Sequence, residues 1–212
     1  TLDLSRYLIK GENSIAILVW YFGVDTQKYK KYDAGLIFEI KDNDGKVLSF
    51  SDENVLSRKS KAYKNGRKQI ITTQLGYGFS YNAQIEDDWK IGKLIDFNKS
   101  LIVDKKCEFF ERPNKKLINS EKNSAKLVKA EGNTYVYDLG KEVFGLFYLD
   151  CESDNAQTLT ISFGEDLVDG KVDRFIAERD FSFEYSTKVG ENTYENYMLR
   201  VGCRYLQVDA MY

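Results

Sequence analysis

Histidine is absent from this chain of 212 residues. The commonest general base, the usual orienter of a catalytic triad and the usual transition-metal ligand are therefore missing together. Any chemistry would fall to carboxylates, tyrosine, lysine or a bound hard cation. Proline occurs once and cysteine three times. Cys107, Cys151 and Cys203 are too far apart to suggest a metal knuckle, and they read as buried or half-buried free thiols. Apolar runs such as residues 15–20 and 143–149 are far shorter than the roughly 20 residues needed to span a bilayer. Neither charge dominates, with 31 Lys and Arg against 33 Asp and Glu, and no long run of one sign stands out. That excludes an obvious polyanion-binding face or acidic tail, so neither nucleic acid nor a membrane is an expected partner. No basic and apolar export signal opens the chain at Thr1-Leu2-Asp3. Composition leaves the compartment open; free thiols favour a cytoplasmic location over a periplasmic or secreted one. Scarce proline with abundant Lys, Asn, Ile and Tyr points to an AT-rich bacterial genome.

Period-two runs of β-branched and aromatic residues fill the chain, separated by clusters of Gly, Asn and Asp. This is the pattern of short antiparallel strands, and no long amphipathic helix competes with it. Residues 14–20 after Gly11-Glu12-Asn13, 34–40, 47–50, 69–74 and 78–85 read as strands. Asn43-Asp44-Gly45 between two of them predicts a hairpin, because Asp and Gly tolerate the positive φ of such turns. The pattern loosens over 91–128. There Pro113 sits among charges from Glu111 and Arg112 to Lys116, and proline pushes its predecessor towards extended backbone. A stiff connector is expected, dividing residues 1–110 from 111–212. The second block offers strands at 134–138, 143–151, 158–163, 181–187 and 197–211, with turns at Asp169-Gly170 and Gly190-Glu191-Asn192. The expected class is all-β, two antiparallel β-sandwich units of jelly-roll or galactose-binding-like form.

Four residues are candidates for holding carbohydrate: Trp20, Tyr21, Trp89 and Glu86. Aromatic faces stack on the apolar faces of sugar rings, and polar neighbours take the hydroxyls. Core packing is the competing use, since aromatic residues dominate the interior of sandwiches. Asp25, Tyr29, Tyr32 and Asp33 form a loop that either lines a shallow polar pocket or is simply solvated. Glu86-Asp87-Asp88 and Asp166 with Asp169 are carboxylate groups suited to paired acid and base work or to calcium, although their spacing fits no EF-hand loop. No catalytic residue, dedicated metal ligand or cofactor is expected, with calcium left open. Asp138, Glu165, Arg174 and Arg204 are read as structural or interface residues. Arg174, Arg179, Asp180, Arg200 and Arg204 mix charge with aromatics either as cross-strand ion pairs or as a contact patch for another domain.

Several segments, taken in order, resemble the bacterial α-L-rhamnosidases. Leu2-Asp3-Leu4-Ser5-Arg6-Tyr7-Leu8, Gly11-Glu12-Asn13 and Ile15-Ala16-Ile17 are similar to a segment of their N-terminal domain. Tyr81-Asn82-Ala83-Gln84-Ile85-Glu86 before Trp89 is similar to its closing pattern, with Asn82 and Gln84 replacing a charged pair. Tyr135-Val136-Tyr137-Asp138-Leu139-Gly140, Phe163-Gly164-Glu165 with Asp169-Gly170, and Gly202-Cys203-Arg204-Tyr205 resemble motifs of a second β-domain; the plain structural use of Glu165 and Arg204 is to pair and hold strands or an interface. The resemblance implies β-sandwich accessory domains that scaffold an (α/α)6-barrel catalytic domain and contact a rhamnose-containing glycan. It also implies that the chain enters the first sandwich partway and stops before the barrel. The family's catalytic carboxylates lie in that barrel and carry over to no residue here. Strand edges left exposed would favour a homodimer.

Overall fold

The computed structural model describes residues 2–27, 29–103, 108–111, 113–115 and 117–211. Cys107, Arg112 and Lys116 lie outside the described residues, as do the side chains of 66–69 and of Asp88. The described chain is nearly all β-structure, as expected, with two 3-10 turns, Ser5–Tyr7 and Asp88–Ile91. In chain order the strands are β1 Glu39–Lys41, β2 Val47–Phe50, β3 Leu56–Ser57, β4 Tyr63–Thr72, β5 Gly76–Asn82, β6 Asn98–Lys99 and β7 Lys126–Glu131. There follow β8 Thr134–Ser153, β9 Thr158–Gly164, β10 Leu167–Val168, β11 Lys171–Val172, β12 Phe175–Ile176, β13 Arg179–Asp180, β14 Ser182–Ser186 and β15 Gly190–Met211.

Two compact units interleave along the sequence. The first comprises Thr1–Tyr21, Ala34–Lys59 and Asp87–Asp104. Its predicted hairpin is present: β1 and β2 pair antiparallel, and Asp42 Oδ1 accepts from the Asp44 and Lys46 amides at 3.0 and 2.9 Å while Gly45 takes φ 83°. A second small ladder joins β3 to β6. The Gly11-Glu12-Asn13 turn is also present, with the Asn13 side chain closing on the Ile9 and Gly11 backbone. Residues 14–20, expected as a strand, are extended chain with no assigned ladder. Alternation shows that a segment can offer one apolar face, but the ladder must come from a partner's N–H and C=O groups. Here Ile15, Ile17 and Val19 remain about half exposed.

The second unit comprises Phe22–Asp33, Ser60–Glu86 and Lys105–Tyr212. Its centre is a seven-stranded sheet in the order β4-β5-β14-β9-β15-β8-β7. Every pairing is antiparallel except β5 with β14, an arrangement consistent with the expected sandwich. Period-two patterning puts Phe79, Tyr81, Leu159, Ile161, Phe163, Phe183 and Tyr185 into the core. Phe183 stacks on Phe79 and meets Phe147 edge-on, both at 5.2 Å between ring centroids. Tyr81, Tyr185 and Tyr194 continue the cluster at 4.6–5.6 Å, in the offset and tilted geometries aromatic quadrupoles prefer.

The opposite face of the same strands is polar: Ser182, Ser162 and Gln207 lie side by side on β14, β9 and β15. The excursion carrying β10 to β13 folds over this row, and the Val172 amide donates to Gln207 Oε1 at 2.9 Å. Asp169 and Gly170, with φ 50° and 71°, form the predicted two-residue turn between β10 and β11. The turn expected at 190–192 falls slightly earlier. The buried Asn192 side chain holds it by accepting from the Lys188 amide and donating to the Lys188 and Gly190 carbonyls.

Candidate functional site

The aromatic candidates stand between the exposure of a sugar platform and the burial of a core. Trp20 and Tyr21 close the extended segment of the first unit, both half-buried. Trp89 lies in the Asp88–Ile91 turn, also half-buried, with Lys90 Nζ 5.8 Å from its ring centroid. The neighbouring Asp87 gives both carboxylate oxygens to Arg58, at 2.5 and 2.6 Å, and the Arg58 guanidinium lies 4.9 Å from the Phe97 ring. Glu86, in the second unit, accepts from Tyr81 Oη at 2.8 Å. Burial first, then this hydrogen bond to a carboxylate, push the Tyr81 phenol above its ordinary range. In the loop, Asp25 accepts from the Lys31 amide, and Tyr29 packs on Phe22 at 5.7 Å; Tyr32 and Asp33 are exposed.

The carboxylates at 166 and 169 are exposed. Among the described residues no group of three or more Cys, Asp and Glu side chains is placed to hold a metal ion. Cys151 is half-buried and Cys203 buried, both free, as expected. Burial raises both thiols, that of Cys203 to about 11, so neither is a ready nucleophile.

Charge pairing is more definite. Arg204 grips Asp138 with two hydrogen bonds of 3.0 Å, from Nε to Oδ1 and from a terminal nitrogen to Oδ2. The Gly140 amide adds a third donor to Asp138 at 2.7 Å. The guanidinium hydrogen bond, followed by that amide, holds the Asp138 carboxyl below its ordinary range. The expected Glu165–Arg204 pairing is thereby corrected. Arg204 occupies a bulge in the ladder with β8, opposite the strand bearing Asp138, while Glu165 is exposed just beyond β9. Arg174 Nε lies 3.4 Å from the buried Asp180, which also accepts from Ser182 Oγ at 2.6 Å. Arg200 covers the Phe144 ring at 5.1 Å, and Arg179 is exposed.

One rung of the sheet gathers three of the sequence motifs. Tyr205 pairs with Asp138 on one side and with Gly164 on the other. Gly164 is a close approach, since a Cβ there would lie 3.0 Å from Val172 Cγ1. Segments 25 to 40 residues or more apart in sequence thus serve one junction, closed by the Asp138–Arg204 pair. Residues 128–212, which contain this junction, match the family model of the bacterial alpha-L-rhamnosidase concanavalin-like domain. The chain resembles the bacterial α-L-rhamnosidases. Among solved structures, α-L-rhamnosidase from Dictyoglumus thermophilum is similar at a TM-score of 0.53 and 19% identity, over 79% of this chain and 19% of that one. This likeness supports the fold. The GH78 family rhamnosidase of Bacillus sp. GL1 overlaps at a TM-score of 0.30 and 20% identity, over 42% of this chain and 9% of that one. The chain therefore spans less than a fifth of the length of either enzyme. No curated protein matches it.

The outward side of the long β8–β15 ladder carries a feature the sequence reading passed over. Tyr148 faces Glu195, Leu146 faces Arg200 and Phe144 faces Gly202, while the alternating Phe147, Tyr194, Val201 and Cys203 point into the core. Phe144 is 67% exposed. Lys122 bridges the patch, 2.6 Å from Glu195 and 3.7 Å above the Tyr148 ring. The available signal was residues 143–149, where both alternating sets are apolar although only one can face the core.

Proposed function

We propose that this chain is a non-catalytic accessory part of an α-L-rhamnosidase acting on rhamnose-containing glycans. In this reading it scaffolds an (α/α)6-barrel catalytic domain and contacts the carbohydrate. The unit that carries the seven-stranded sheet, with Ser60–Glu86 belonging to it rather than to the expected 1–110 half, corresponds to the second accessory sandwich, and the smaller unit to part of the first. The observation carrying the proposal is the match over residues 128–212, supported by the meeting of three motif segments on one rung. The ionisable groups support a structural role: Asp87, Asp138 and Asp180 are each engaged by arginine.

Antibodies raised against the purified chain provide the test in cells of the source organism. The expected result is a protein much larger than 212 residues whose precipitate releases rhamnose from rhamnosides. A product of this chain's own size with no associated activity would contradict the proposal.

A further inference from the structure

We infer that residues 165–180, the excursion carrying β10 to β13, form a hinged lid latched by Gln207, which lifts from the polar face of the sheet as one unit while the sheet stays intact. The lid spans that face. Its β10–β11 turn reaches edge strand β7, where a Cβ on Gly170 would lie 3.3 Å from Lys129 Nζ. Its last strand, β13, lies against β4 at the opposite edge. Between the two, Val172 sits over β15 and β9.

A covering layer is ordinarily fixed by the apolar area it buries, and this one buries little. Of its larger apolar side chains Val172 is buried and Leu167 half-buried, while Val168, Phe175 and Ile176 are about half exposed. Beneath it lie Ser182, Ser162 and Gln207, all buried polar groups that gain nothing from leaving water. Ser162 has no exposed surface, and its hydroxyl has no partner among the described residues. That costs the closed form free energy which hydration restores when the lid lifts. The lid's own ladders are two residues long, and its β12–β13 turn holds Ala177 at φ 55°, a conformation costly for a residue with a Cβ. Segments with so few buried apolar contacts open at lower free energy than the sheet they cover.

The lid is held at its hinges, its tip and its middle. One hinge leaves β9 at Gly164 through the exposed Glu165 and Asp166. At the other, the Phe181 carbonyl accepts from the Phe163 amide at 3.0 Å and the Phe181 amide donates to the Arg174 carbonyl at 2.9 Å, beside the Arg174–Asp180 pair. At the tip, Lys129 lies on Gly170 and pairs with Glu131 at 3.1 Å, an exposed ion pair of the weak kind. The middle is the latch, where the Val172 amide donates to Gln207 Oε1 at 2.9 Å. Gln207 is aimed by the sheet itself. Its Nε2 donates to both Asp209 oxygens at 3.1 and 2.9 Å, and Asp209 accepts in turn from Thr134 Oγ1 at 2.7 Å. Opening therefore breaks few bonds and uncovers a preformed row of hydroxyl and amide groups across β14, β9 and β15.

Native-state hydrogen exchange of the purified chain, followed by NMR in denaturant below the unfolding transition, tests this. The Val172 and Phe181 amides are expected to exchange roughly a hundredfold or more faster than the ladder amides of β9 and β14, and with little dependence on denaturant, because lifting the lid exposes little surface. Gln207→Ala should speed exchange at Val172 and Phe181 by roughly a further tenfold, with a much smaller change in β9 and β14. Exchange of Val172 and Phe181 only at the rate of the sheet amides, through global unfolding, would overturn the lid. Fast exchange that Gln207→Ala raises no more than it raises sheet exchange would overturn the latch. Should Gln207→Ala not fold, Gln207→Met, of similar length but without the acceptor, replaces it, and the pattern in the unsubstituted chain still decides whether the lid opens.

Discussion

Asp138 shows how a single carboxylate ties local chemistry to the sheet. Its folded-state proton affinity is lowered, chiefly by the Arg204 hydrogen bond. The pair therefore contributes stability above the ordinary carboxylate range, and that contribution is lost as pH falls through the lowered value. Asp138→Asn is expected to lower the melting temperature at pH 7 and to flatten the loss of stability below about pH 4; melting curves from pH 2.5 to 7 measure both. The opposite sign holds in the tyrosine core. Burial, the first cause, raises Tyr185 to about 12 and Tyr194 further. Their neutral forms stabilise the fold fully below pH 10, and the contribution is lost as pH rises through the folded values. Alkaline unfolding beginning near pH 10, shifted to higher pH in Tyr185→Phe, is the expected pattern. Phe183, with no exposed surface, is costly to truncate: Phe183→Ala should lose about 3–5 kcal/mol in denaturant titration. Core positions of this kind were legible from the period-two pattern. The true partner of Arg204 was not, because only the bulge before Tyr205 decides which carboxylate it meets.

Among the elements, turns were the most legible and unpaired segments the least. Asn-Asp-Gly and Asp-Gly announce their backbone geometry locally, and both hairpins formed where expected. Residues 14–20 carry a strand's alternation without a ladder, because pairing is a property of two segments. Strand β7 escaped notice for a related reason. It is an edge strand studded with Lys126, Lys129 and Glu131, the charged composition by which edges avoid other chains. Two glycines distinguish turn chemistry from packing. Gly45 has open space around it at φ 83°, whereas at Gly76, with φ 78°, an added Cβ would collide with the Phe22 ring. Gly45→Ala is expected to cost about 1–2 kcal/mol. Gly76→Ala should cost more, a difference that equilibrium unfolding of the two variants would reveal and equal losses would refute.

At the scale of the whole molecule, the all-β class and the resemblance carried by ordered motifs could be read from the chain, but the topology could not. The pairing of β5 with β14 joins residues about a hundred positions apart and is parallel, so no turn or spacing announces it. It places strands from before and after Pro113 in one sheet, and the compact units interleave. The motif glycines had a visible use in turns and close approaches, but their convergence on the Asp138–Tyr205–Gly164 rung required the fold. For the function, the central claim is that this chain supports catalysis without performing it. Incubating the purified chain with p-nitrophenyl α-L-rhamnopyranoside, and following nitrophenol release from pH 4 to 8, tests that claim most directly. The account predicts release no faster than in buffer alone. Turnover that co-purifies with the chain and is abolished by substituting one of its own carboxylates would contradict it.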